Sequence, residues 1–177
     1  MKKTLIIILA LLTSSCSNYQ AESFSSNSID VFTAQKNLAE PIAIATLSAT
    51  NNNQNSIFCR GLKRSIYLPN KMSFTKYIED ALKETLINAN RYDSKSEYVL
   101  RGKIDLVDFN STSGRWHLKG IFNLNNSIPV KIEGKYDFPS AWDNDIACGN
   151  AASALNQAVS KFVADIFSNP AIKKALR

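Results

Sequence analysis

Three consecutive stretches decide the fold: YVLRGKIDLVDF at 98–109, RWHLKGIFNL at 115–124 and IPVKIEGKYDF at 128–138. Each alternates apolar and polar residues with a period of two, the pattern of a strand with one face on a core and the other in water. The apolar set is Tyr98, Leu100, Ile104 and Leu106 in the first stretch and Trp116, Leu118, Phe122 and Leu124 in the second. In the third it is Ile128, Val130, Ile132, Tyr136 and Phe138. Gly102, Gly120 and Gly134 fall on the same face, where a missing side chain lets a helix pack close or marks a bulge. The links at 110–114 and 125–127 are short and rich in Asn, Ser and Gly, so neighbouring strands are expected to pair as an antiparallel meander.

Upstream, 42–47 is an apolar, β-branched run behind Pro41, and 56–68 is a second extended stretch closed by Pro69-Asn70. Ser73 is placed as an N-cap, and Phe74, Tyr77, Ile78, Ala81, Leu82 and Leu86 behind it share one helical face, which predicts a helix over 74–89. Downstream of Pro139, Ala151, Leu155, Ala158, Val159, Phe162, Val163 and Ile166 form a long helical stripe that Asn169-Pro170 ends, with one further turn expected over 171–176. The order β-β-α-β-β-β-α predicts an α+β fold: a two-layer sandwich in which two helices cover one face of a mostly antiparallel sheet. A length of 177 residues with 45% hydrophobic and 20% charged residues fits one globular domain and excludes disordered, collagen-like and coiled-coil chains.

The polar positions of the three stretches are Arg101, Lys103 and Asp105, then Arg115, His117 and Lys119, then Lys131, Glu133, Lys135 and Asp137. Their six cations, Arg101, Lys103, Arg115, Lys119, Lys131 and Lys135, form a candidate binding face for an anionic lipid, an acidic glycan or an acidic protein. The plainer reading is a solvated sheet face with cross-strand charge pairs. His117 is the sole histidine, and no carboxylate or serine is placed by sequence to orient it, so a triad is unsupported. Asp105 with Asp108, or Glu133 with Asp137, are carboxylate pairs expected to keep ordinary pKa values on an exposed face. Gly-rich phosphate loops, metal-binding helices and a nucleophile elbow are missing from the sequence, so no catalytic residue, metal or cofactor is expected, and no nucleic-acid partner. Phe138 and Trp142 flank the Pro139-Ser140 bend and are read as core, with a partner-facing aromatic patch as the alternative.

The N-terminus reads as an address. Lys2 and Lys3 precede an apolar run over 5–12 that is too short to span a bilayer, and Thr13-Ser14-Ser15 lead into Cys16. At Leu12-Thr13-Ser14-Ser15-Cys16 the chain resembles the bacterial lipoprotein signal, which implies cleavage before Cys16, acylation of that cysteine and, with Ser17 next, an outer-membrane destination. The alternative is an ordinary signal peptide cut near Ala21. The expected organisation is therefore a signal peptide over 1–15, the lipidated cysteine and a flexible Ser/Asn-rich tether over 16–37, and a periplasmic domain over 38–177. Cys59 and Cys148 then form an even pair in an oxidising compartment, with a disulfide as the default and two buried thiols as the alternative.

The order of elements is similar to that of small envelope lipoproteins of the YajG type and, more loosely, to lipoprotein activators of penicillin-binding proteins and the lipopolysaccharide-assembly lipoprotein. Phe58-Cys59-Arg60-Gly61, Tyr136-Asp137-Phe138 and Ala147-Cys148 resemble segments of an uncharacterised family of exported bacterial proteins. These resemblances imply a non-enzymatic accessory role, with the membrane reached through the lipid and an envelope protein as the partner. The second reading is an anionic lipid or glycan bound at the basic face.

Overall fold

The computed structural model describes residues 19–50, 54–59 and 64–176. The signal segment 1–15, Cys16, Ser17 and the Arg60-Gly61 half of the cysteine motif lie outside the described residues. In chain order the elements are β1 (Tyr19–Gln20), α1 (Ser28–Asn37), β2 (Ala43–Ile44), β3 (Ser48–Ala49), β4 (Ser56–Phe58), β5 (Ser65–Tyr67), α2 (Phe74–Asn88), β6 (Val99–Asn110), β7 (Arg115–Leu124), β8 (Val130–Asp137), α3 (Asn144–Ser168) and α4 (Pro170–Lys174). They form a two-layer α+β sandwich. The main sheet has the order β2-β6-β7-β8, with β3 also on β6, and a small sheet has the order β1-β5-β4.

The meander of β6, β7 and β8 is antiparallel, as the alternation predicts, while β2 and β3 join β6 in parallel. Leu100, Ile104, Trp116, Leu118, Phe122, Leu124, Ile132 and Phe138 are buried on the helix side. Two expected members of that face are not there. The register slips between Ile104 and Leu106, so beyond the bulge the faces exchange. Leu106 lies opposite Lys119 on the outer face, and Val107 and Phe109 pack on the core instead. Thr50 at the end of β3 donates its hydroxyl to Asp105, the bulged residue, and marks where the switch is held. Ile128 precedes β8 in the turn before Pro129 and is 83% exposed.

Helix α2 starts at the Ser73 cap, whose hydroxyl accepts from the Lys76 N–H, and buries Tyr77, Ile78, Ala81, Leu82 and Leu86. The 25-residue α3 follows its Asp143 cap and crosses the sheet over β7 and β8. Its approach explains Gly134: a Cβ there would stand 2.9 Å from the Phe162 ring and 3.5 Å from the Phe162 Cα. Phe122 lies over Gly102 and Gly120 in the same way, filling the space that two missing side chains leave.

The two largest departures from the expected fold lie near the N-terminus. Residues 19–37 are not a tether: β1 pairs in parallel with β5, and α1 packs on α3. Asn27 accepts from the Ile29 and Asp30 N–H groups while Asp30 accepts from the Asn27 N–H, a complete capping box. Asp30 is itself wholly buried and also accepts from the Ser160 hydroxyl of α3 at 2.6 Å, which ties α1 down. The extended stretch 56–68 is not one strand of the main sheet but a hairpin, β4 and β5, in the small one. No described helix is long and apolar enough to cross a membrane.

Candidate functional site

The outer face of β6, β7 and β8 carries all six cations of the candidate site, and the register arranges them in rows across the three strands. Asn110, Arg115 and Asp137 form one row, and Asp108, His117 and Lys135 the next. Leu106, Lys119 and Glu133 follow, then Lys103, Ile121 and Lys131, and finally Arg101 beside Asn123. Within these rows acids stand only in the first three; Asp105, the bulged residue between Lys103 and Leu106, has no partner on β7 and accepts from the Thr50 hydroxyl. The face is thus split along the strands into a neutralised end and a cationic end.

At the neutralised end the Arg115 guanidinium grips Asp137 with two nitrogens, Nη2 donating to Oδ2 at 3.2 Å. Glu133 is a hub: Oε1 accepts from Lys135 Nζ at 2.9 Å and lies 2.8 Å from His117 Nε2, and Oε2 lies 3.4 Å from Lys119 Nζ. The hydrogen bond from Lys135, and after it that from His117, hold the Glu133 carboxyl far below the usual range, at about 2. This overturns two sequence expectations. Exposed carboxylates here do not all keep ordinary values, and a carboxylate does orient His117, reaching it from the neighbouring strand. A carboxyl held ionised in this way serves to organise the two lysines and the imidazole around it.

At the cationic end, among the described residues, Arg101, Lys103 and Lys131 have no ion-pair partner. Lys103 and Lys131 flank the half-buried Ile121 across the strands. Of the six candidate cations the arrangement therefore leaves three available to an anion, grouped around apolar surface.

A second surface lies at the start of α3. Phe138 is buried, as expected, but Trp142 is 100% exposed, against the reading of both as core. The chain bends at Pro139 and the helix starts only at its Asp143 cap, so the indole lies on the connecting segment beyond the reach of the core. Thr112, Ser140, Ala141 and Trp142 line a shallow groove of about 230 Å³.

Cys59 and Cys148 are joined as a disulfide with Cα atoms 6.0 Å apart, linking the end of β4 to the first turns of α3. Beside it Arg64 pairs with Asp145 and donates to the Tyr19 hydroxyl at 3.2 Å, so three segments distant in sequence are clamped together.

No protein-family model matches the chain, nor does any curated protein. The fold is similar to the crystal structure of protein XCC0632 from Xanthomonas campestris, of the DUF330 family. The likeness has a TM-score of 0.54 at 14% identity, over 85% of this chain and 95% of that one. At that identity it speaks to the fold alone.

Proposed function

We propose that this chain is a non-enzymatic, lipid-anchored envelope protein that serves as an accessory subunit of a periplasmic or outer-membrane assembly, docking on its partner through the surface at Trp142. The observation that carries the docking is the exposure of that indole. A fully solvated Trp on a bend held between a buried Phe138 and a capped helix forfeits a large hydrophobic gain unless another molecule covers it, and such residues anchor protein contacts. The anchor is Cys16. The described structure begins at Tyr19, already paired with Ile66 of β5, so two residues of chain, a Cα span of at most about 11 Å, separate the domain from the lipidated Cys16. The domain is thereby held against its membrane rather than suspended from it.

The test is crosslinking in intact envelopes. The parent protein should be membrane-bound and yield one stoichiometric crosslinked protein; Trp142→Ala should lose that product at unchanged thermal stability, and Cys16→Ser should leave the membrane fraction. An undiminished product from Trp142→Ala overturns the docking site.

A second reading is favoured by the cations at Arg101, Lys103 and Lys131 around Ile121: an anionic lipid or glycan bound at that end of the sheet. It expects the parent chain to bind vesicles containing phosphatidylglycerol and the Arg101→Glu, Lys103→Glu double variant to lose them, with the crosslinked protein retained.

A further inference from the structure

The eight-residue strand β8 ends the main sheet, and among the described residues no strand pairs with its far side. Phe138 N–H donates to Gly114 O at 2.7 Å, which fixes the alternation: even-numbered residues of β8 direct their main-chain groups at β7. Lys131, Glu133, Lys135 and Asp137 therefore direct their N–H and C=O groups to the open edge, and among the described residues nothing bonds them there. An uncovered edge of this length is a template for another strand.

The charges along it select the strand. Lys131, Glu133, Lys135 and Asp137 alternate in sign on one face and are all exposed. If the edge meets a second copy of itself antiparallel, with Gly134 facing Gly134, then Lys131 stands opposite Asp137 and Glu133 opposite Lys135, each twice by symmetry. On the other face Ile132 meets Tyr136. The residues brought opposite one another as hydrogen-bonded pairs are the odd-numbered ones whose main-chain groups are unpaired, giving about eight new backbone bonds. Sliding the copy by two residues either way places Lys131 against Lys135 or Glu133 against Asp137, and sliding by one turns the apolar face outward. Lys131, which among the described residues has no acidic partner, gains one only in the first arrangement.

We propose that the chain forms a two-fold homodimer by antiparallel pairing of β8 with β8 of a second copy, centred on Gly134, to make one continuous sheet. The surface beside the edge suits the same occupant. Tyr136 shares a groove of about 530 Å³ with Ile29 and Thr33 of α1 and Lys161 of α3. Ile29 in that groove is 72% exposed, apolar area that the second copy would cover. The dimer needs neither the lipid nor the partner proposed above, so its test stands apart from theirs.

The experiment is sedimentation equilibrium of the full chain in density-matched detergent at micromolar concentration. The parent should sediment as a dimer that weakens as salt is raised. Lys131→Glu sets like charges at two symmetric places and should weaken the dimer about tenfold or more. Adding Asp137→Lys to Lys131→Glu restores opposite signs and should restore most of the affinity, a recovery that a folding defect would not produce. Lys135→Pro removes an edge N–H that the free subunit does not use and should give a folded monomer. A parent that stays monomeric, or a dimer indifferent to both Lys131→Glu and Lys135→Pro, overturns the proposal.

Discussion

Trp116 Nε1 donates to the main-chain oxygen of Ala151 at 2.9 Å, a buried bond between the central strand and the long helix. The indole is wholly enclosed, its ring centre 4.8 Å from that of Phe109 and 6.5 Å from that of Phe74. It joins the sheet, α2 and α3 in one contact, and the polar atom that burial would otherwise penalise has its partner. Trp116→Phe removes the bond and part of the volume together. The expected loss is about 2–4 kcal/mol, read as a shift in urea midpoint with unchanged slope. A loss below about 1 kcal/mol would show that the sheet and α3 do not depend on this residue.

Thr85 is the converse case. Its hydroxyl is buried on the core side of α2 and has no hydrogen-bond partner among the described residues. Thr85→Val keeps the shape and exchanges an unmatched polar atom for a methyl group. Stability should rise by about 1 kcal/mol, seen as a higher melting temperature.

Acid should unfold the protein through two glutamates whose carboxyls are lowered by different surroundings. Burial pushes Glu79 up, but the hydrogen bonds from Lys83 at 2.7 Å and from the Leu47 N–H at 3.0 Å outweigh it. Glu133 is exposed and lowered to about 2 by Lys135 and His117. In both, the folded value lies below the unfolded one, so the stabilisation is complete above about pH 4.5 and is lost as pH falls through the folded value. A series of denaturant midpoints should be flat from neutral pH to about pH 5 and then decline toward pH 2. Glu79→Gln should cost about 1–3 kcal/mol at neutral pH and make the decline shallower. An equally steep decline in that variant would remove Glu79 from the account.

The meander, the α2 and α3 helices and the disulfide pairing were legible because each rests on a simple signal: period two, period 3.6, or an even pair of cysteines once Cys16 is set aside. What stayed hidden depended on contacts distant in sequence. The exchange of faces after Ile104 is a bulge secured by Thr50, some fifty residues earlier, and alternation alone assigns Leu106 to the core. The split of the basic face became visible only with the register, which puts Glu133 beside Lys119 and leaves Lys131 beside Ile121. The α1 helix was missed because its exposed Ile29 and Phe32 break the expected amphipathic stripe and its anchor is an acid. The Asn27 and Asp30 spacing was the one signal that could have found it.

The disulfide carries a further prediction. It closes a separation of 89 residues and joins the small sheet to α3, next to the Arg64 and Asp145 pair. Cross-linking so long a segment restricts the unfolded chain, and reduction, or the Cys59→Ala, Cys148→Ala variant, should cost about 2–4 kcal/mol.

Asp30 offers the sharpest test of how the N-terminal segment is held. Its Oδ1 accepts from the Asn27 and Val31 N–H groups, each at 2.8 Å, and its Oδ2 from Ser160. The Asn27 amide in turn donates to the Ser160 oxygen at 2.6 Å, so cap and docking contact are one network. Asp30→Ala would take the acceptor from the Asn27 N–H and the Ser160 hydroxyl, while the Val31 N–H keeps Asn27 O at 3.2 Å, at a cost of about 2–4 kcal/mol. Because the network binds α1 and not the sheet, the loss should fall first on α1. Hydrogen exchange in that variant should accelerate across 28–37 while β6 and β7 keep their protection. Uniform acceleration throughout the chain would instead mean that α1 is an inseparable part of the core.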